Sequence, residues 1–121
     1  MSDLLALAGR VLLGLIFVAG ALQKLADPVP AMDLVTARGL PAILIWPALI
    51  FSGMAGIAFF AGYRTRAFAL IAAAYSAITS YVHFLPDDPW QMSIFIKNWS
   101  IAGGFLMLAA HGPGKYSWDR A

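Results

Sequence analysis

Polar positions are sparse along this chain and fall between long apolar runs. Residues 4–24 are broken by Arg10 and end at Lys24. Residues 39–63 and 67–86 contain no Lys, Arg or Asp, and between Pro89 and His111 the one such residue is Lys97. A helix needs about 20 apolar residues, at 1.5 Å rise each, to cross roughly 30 Å of hydrocarbon. The runs therefore predict four spans, at approximately 4–24, 42–62, 66–85 and 90–111. A closed barrel would require polar–apolar alternation, and none is visible.

The segments between the runs predict how the spans connect. Ala26-Asp27-Pro28-Val29-Pro30 ends the first span. Pro30 suits the first turn of a short helix, Ala31–Arg38, closed by Gly39. Met32, Leu34 and Val35 fit that helix to the membrane interface. Tyr63-Arg64-Thr65-Arg66 is a tight connection, which makes spans two and three antiparallel neighbours. Pro86-Asp87-Asp88-Pro89 is an acidic turn. Pro47 either kinks span two or marks its first turn. Ser52-x-x-x-Gly56, Ala58-x-x-x-Gly62, Ala69-x-x-x-Ala73-x-x-x-Ala77 and Ser100-x-x-x-Gly104 allow close helix approach. The expected fold is all-α: an integral membrane four-helix bundle, one domain over 1–121, with a short interfacial helix between spans one and two.

Composition narrows the function classes. The chain is 61% hydrophobic and 12% charged, with mean hydropathy +0.78. Soluble domains run at about 45–50% apolar and about 25% charged. Four spans consume roughly 80 residues, which leaves no room for a soluble catalytic domain in 121. There is no cysteine, which excludes thiol chemistry and iron–sulfur ligation by this chain. No metal or haem is expected. The eight Lys and Arg are scattered, so the net charge of +2 is a topology signal and not a nucleic-acid footprint. Arg64, Arg66, Lys115 and Arg120 fall on the side that carries both termini. The other side has Lys24 and Arg38 with four aspartates, so cytoplasmic termini are expected. Trp46 and Trp90 then belong to the outer aromatic belt, and Tyr63, Tyr116 and Trp118 to the inner one. Ala19-Gly20-Ala21 has the look of a signal-peptidase site, but the first nine residues lack a basic n-region. Retention of span one is expected.

Charge at membrane depth is costly, by ~2.5–3.5 kcal/mol on insertion scales. That singles out Arg10, Lys24, His83 and Lys97. Arg10, Gly14, Phe17, Ala21 and Lys24 form one helical stripe. Arg10 either snorkels to the inner headgroups or faces inward. Ser76, Thr79, Ser80 and His83 form a polar stripe in span three, beside Tyr75, suited to hydrogen bonding between helices. Lys24, His83, Lys97 and Asn98 gather by depth in the outer third. Three potential cations in one layer repel unless an anion, a deprotonated lysine, Asp87 or Asp88 offsets them. Such a cluster is either a ligand site for a quinone carbonyl, a semiquinone or a small oxyanion, or a structural network with the acidic turn.

The chain resembles the DoxX family of small bacterial membrane proteins over nearly its whole length. The carriers are Arg10-Val11-Leu12-Leu13-Gly14-Leu15-Ile16-Phe17 followed by Gly20 and Lys24; Gly62-Tyr63-Arg64-Thr65-Arg66; His83; Lys97-Asn98; and Gly112-Pro113-Gly114-Lys115-Tyr116-Ser117. The resemblance implies an inner-membrane four-helix fold linked to redox or oxidative-stress systems, with some relatives serving as membrane subunits of quinone-linked oxidoreductases. It carries over to Arg10, Lys24, His83, Lys97 and Asn98. Family members commonly have a Glu in span two. Ser52 stands there, and the chain contains no Glu. The expected role is a quinone-interacting or accessory subunit, not a self-contained enzyme. Lys24, His83, Lys97 and Asn98 are its candidate ligand residues, and Arg10, Ser52 and Thr79 its structural or inner-side polar groups; no catalytic residue is assigned. Its expected partners are the lipid bilayer and an oxidoreductase, an assembly factor or a second copy. A membrane scaffold and a small-solute carrier are the alternative readings.

Overall fold

The computed structural model describes residues 2–119, so Arg120, counted above for orientation, lies outside the described residues. Within them the protein is all-α, with helices α1 (Ser2–Ala26), α2 (Val29–Ala37), α3 (Ile45–Ala61), α4 (Thr65–Thr79) and α5 (Pro89–His111). Two 3₁₀ turns, Ala42–Leu44 and Ser80–His83, extend α3 and α4 at the end opposite the termini. Among the described residues, three segments are long and apolar enough to cross a membrane: Asp3–Ala26, Ala42–Ala61 and Pro89–His111. The third expected span is shorter as regular helix. Its hydroxyls explain why: Thr79 donates to the carbonyls of Tyr75 and Ser76, and Ser80 to that of Ala77. Such bonds compete with the regular ladder, and the chain tightens into a 3₁₀ turn at Ser80.

Local chemistry sets the helix ends. Asp3 in the first turn of α1 and Lys24 in its last both complement the helix dipole. Pro47 falls in the first turn of α3, where a missing N–H costs nothing. Gly62 closes α3 in the left-handed conformation, at φ 73°. The Asp88 carboxylate caps α5, accepting from the N–H groups of Trp90 at 3.0 Å and Gln91 at 3.3 Å. The short helix α2 begins at Val29, two residues before the expected start, and Gly39 follows it at φ +76°.

The closest helix pairings are α1 with α3 and α4 with α5; α3 and α4, joined by the tight Gly62–Arg64 turn, also touch. The α1–α3 crossing is set by Gly14 and Gly56. A Cβ on Gly14 would lie 2.9 Å from the Cβ of Phe59, and one on Gly56 would collide with Val18. In α4 the facing residues are Ala69, Ala72 and Ala73, all buried, against Ala102 and Phe105 of α5. Phe17 joins the pairs at the centre, its ring 5.2 Å from Phe105 and 6.2 Å from Phe59. The stripe Arg10, Gly14, Phe17 and Ala21 is the buried face of α1.

The segment after α5 seals the end that carries the termini. Arg10 is only 1% exposed. Its guanidinium donates to the carbonyl oxygens of Pro113 at 2.8 Å and Tyr116 at 2.7 Å. Trp118 and Asp119 donate their N–H groups to Ala61 and Gly62. Asp119 then accepts from the N–H groups of Arg64 at 2.7 Å and Thr65 at 2.8 Å, so it caps α4 from the far end of the chain. Gly62 must be glycine twice over, because a Cβ there would also strike Ser117.

Two outcomes follow from this packing. Gly56→Leu should lower stability by ~1–3 kcal/mol through overpacking, read as a drop in the detergent unfolding temperature. Burial disfavours the charged form of Asp119, but hydrogen bonds from Thr65 and Arg64, with the charge of Arg10, outweigh it and hold the carboxyl below its ordinary 3.8. A depressed carboxylate contributes stability that is complete above the unfolded value and is lost as pH falls through the folded one. Wild type should therefore lose stability below pH 3.8 more steeply than Asp119→Asn in a thermal series from pH 6 to 3.

Candidate functional site

At the opposite end the helices splay around a cavity of about 970 Å³. The last turns of α1, the inner side of α2, the start of α3, the end of α4 with its 3₁₀ turn, and α5 bound it. Lys24, His83, Lys97 and Asn98 all line this one space. Ser52, Tyr75 and Thr79 line it deeper, toward Phe17. Arg10 lies at the other end, with the tail.

Lys24 is half-buried, and its side chain does not run outward. Its Nζ folds back along α1 and lies over Gly20, 3.7 Å from where a Cβ would stand. Among the described residues it makes no hydrogen bond or ion pair. An ammonium turned away from the nearest headgroups and toward an apolar chamber lacks the usual relief of snorkelling. Lys97 is exposed on α5 and reaches the cavity from the opposite wall, beside half-buried Asn98.

His83 is held by a residue that the sequence reading did not single out. Its Nδ1 lies 2.7 Å from Oε1 of Gln91. With the amide oxygen facing the ring, Nδ1 donates and Nε2 is left to accept or to take up a proton. Gln91 is in the first turn of α5, and its own N–H is capped by Asp88. The acidic turn therefore acts through the helix start, not by pairing with the lysines; among the described residues neither lysine is bonded to Asp87 or Asp88. The Asp88-x-x-Gln91 spacing was the available signal, since an acidic N-cap with Gln three residues on marks a helix start. It does not reveal that the amide is diverted to the imidazole.

The cavity floor is weakly polar. Ser52 Oγ donates to the hydroxyl oxygen of Tyr75 at 3.4 Å, joining α3 to α4. The Tyr75 ring is braced by Phe17 at 5.6 Å and Phe51 at 5.1 Å. Thr79 and Ser80 bond carbonyls one turn back and do not bridge helices. Among the described residues no group of three His, Cys, Asp or Glu is placed to hold a metal. The arrangement offers donors and positive charge around an apolar chamber. It suits a ligand with carbonyl or oxyanion character and an apolar body.

The DoxX family model matches residues 5–85. The inner membrane protein YqjF of Escherichia coli (strain K12) is 30% identical over 121 residues, covering 99% of this chain and 93% of that protein. No solved structure matches.

An unpaired, half-buried ammonium is not a stabilising element. Lys24→Met should keep the packing of the stem and leave the ligand-free unfolding temperature unchanged or raised. A fall of several degrees would show instead that Lys24 belongs to a structural ion-pair network.

Proposed function

The chain belongs to the DoxX family, and from that premise we propose that it is a four-span protein of the bacterial inner membrane whose cavity holds a quinone-type ligand. It would act as an accessory subunit of a redox or oxidative-stress system and not as a self-contained enzyme. In this reading the fourth crossing is α4 together with its 3₁₀ turn. Thr65–His83 extends about 30 Å, at 1.5 Å per α-helical and 2.0 Å per 3₁₀ residue. The nine residues of α2 reach about 13 Å and serve as an interfacial helix roofing the cavity. The termini face the cytoplasm, following the basic residues of that end. The whole chain is one membrane domain.

The observation that carries the ligand reading is the direction of Lys24. Its ammonium faces an apolar chamber that Lys97, Asn98 and His83 also line. The lysines would stabilise negative charge on a reduced or partly reduced carbonyl. His83, held through Nδ1 by Gln91, would present Nε2 to donate a hydrogen bond or proton when protonated, or to accept one when neutral. Asn98 would orient the ring. Asp27 also lines the cavity, but it accepts from the N–H of Val29 at the start of α2 and span two has no acid, so proton delivery would fall to His83 and water.

Quinone binding to the purified protein tests this. Lys24→Met and Lys97→Met should each weaken binding about tenfold, or roughly 1.4 kcal/mol, with unfolding temperatures preserved. Equal affinity in wild type and both variants would remove this cavity as a quinone site and favour a membrane scaffold.

A further inference from the structure

A second cleft, of about 840 Å³, lies at the sealed end, away from the proposed ligand cavity. It is bounded by the start of α4, the end of α5 and the tail, with Asp3 of α1 at one side. Arg64, Arg66 and Lys115 bring positive charge to it. Its two carboxylates are already engaged. Asp119 accepts from the N–H groups of Arg64 and Thr65, and Asp3 from that of Lys115 at 3.1 Å. Arg64 is turned toward Tyr63, donating Nε to its hydroxyl at 3.1 Å.

Arg66 and Lys115 are the cations left over, with Lys115 Nζ 5.9 Å from the centroid of the Tyr116 ring. The Arg66 guanidinium lies across Gly112, where a Cβ would come within 3.0 Å of Nη2 and 3.1 Å of Nε. Gly112 has φ +81°, so the position favours glycine on conformational grounds as well. Arg66 is exposed, and among the described residues it makes no hydrogen bond or ion pair, so its guanidinium is open to a ligand. A guanidinium fork fits the oxygens of a phosphate.

The surroundings decide which phosphate. Leu70 is one turn below Arg66 on the same face of α4, and Met107 one turn below His111 on α5. They are 56% and 61% exposed. Exposed Tyr63 and Trp118 pack edge to face beside the cleft, with centroids 6.4 Å apart, in the manner of an interfacial aromatic pair. Charge above and bare apolar surface below match one amphiphile. We propose that this cleft binds the phosphate headgroup of an anionic phospholipid, with Arg66 as principal contact, Lys115 as second, and the acyl chains against Leu70 and Met107.

Native mass spectrometry of the full chain in detergent tests the proposal, with phosphatidylglycerol, phosphatidylcholine and inorganic phosphate as probes. Phosphatidylglycerol should bind more tightly than phosphatidylcholine, and millimolar phosphate should not displace it. Arg66→Gln and Lys115→Gln should each weaken the phosphatidylglycerol complex about fivefold, in line with the contribution of one basic residue at an anionic surface. Lys115→Gln, whose side chain is exposed, keeps the test valid if Arg66→Gln fails to fold. Equal binding of the two lipids, or unchanged affinity in Lys115→Gln and folded Arg66→Gln, would overturn the site. Displacement by inorganic phosphate would overturn the lipid assignment in favour of a soluble phosphate.

Discussion

A charge within a bilayer must be answered by the protein itself, because lipid tails offer neither hydrogen bonds nor screening. Arg10 meets that requirement with backbone carbonyls. The segment after α5 folds back so that the carbonyl oxygens of Pro113 and Tyr116 receive the guanidinium. The rest of the sealed end depends on that pairing. Once the tail lies over Arg10, Trp118 and Asp119 reach the end of α3, and the Asp119 carboxylate caps α4. One buried cation thus ties α1, α3, α4 and α5 together at one end of the molecule.

The other end is built differently. No tail covers it, α2 lies across it, and among the described residues the lysines that enter it form no ion pair, although Asp27 lines the same cavity. Between the two ends the helices are held by shape. Glycines at 14 and 56 let α1 and α3 approach closely, alanines along α4 do the same against α5, and Phe17 fills the middle. Small residues in contact are the usual means by which helices associate where the surrounding solvent is as apolar as they are. The result is a molecule closed at one end and hollow at the other. That asymmetry places the candidate chemistry far from both termini.

The helices were legible because apolar run length is a direct signal, and Gly39, Gly62 and the Asp88-Pro89 start mark ends by local chemistry. The gathering of Lys24, His83, Lys97 and Asn98 on one cavity was legible from depth alone, since helical rise converts sequence position into height. What was not legible depended on direction or on backbone. The acceptors of Arg10 are main-chain carbonyls, which carry no residue signature. The cap of α4 comes from Asp119, more than 50 residues downstream, where no local pattern points to it. The inward turn of Lys24 is a rotamer choice. The shortening of α4 reflects Thr79 and Ser80 bonding to their own helix, where the residue types alone fitted bonds to a neighbour equally well.

A quinone-type ligand seated in the cavity would shield the cavity lining from solvent reagents. The chain lacks cysteine, so single thiols can be placed at will. Thr79→Cys puts one on the cavity lining, and Ser93→Cys puts one on the exposed face of α5 at the same end. Added quinone should slow thiol modification at position 79 severalfold and leave position 93 unchanged. Modification at position 79 that is indifferent to quinone, or protection of both positions alike, would contradict the account.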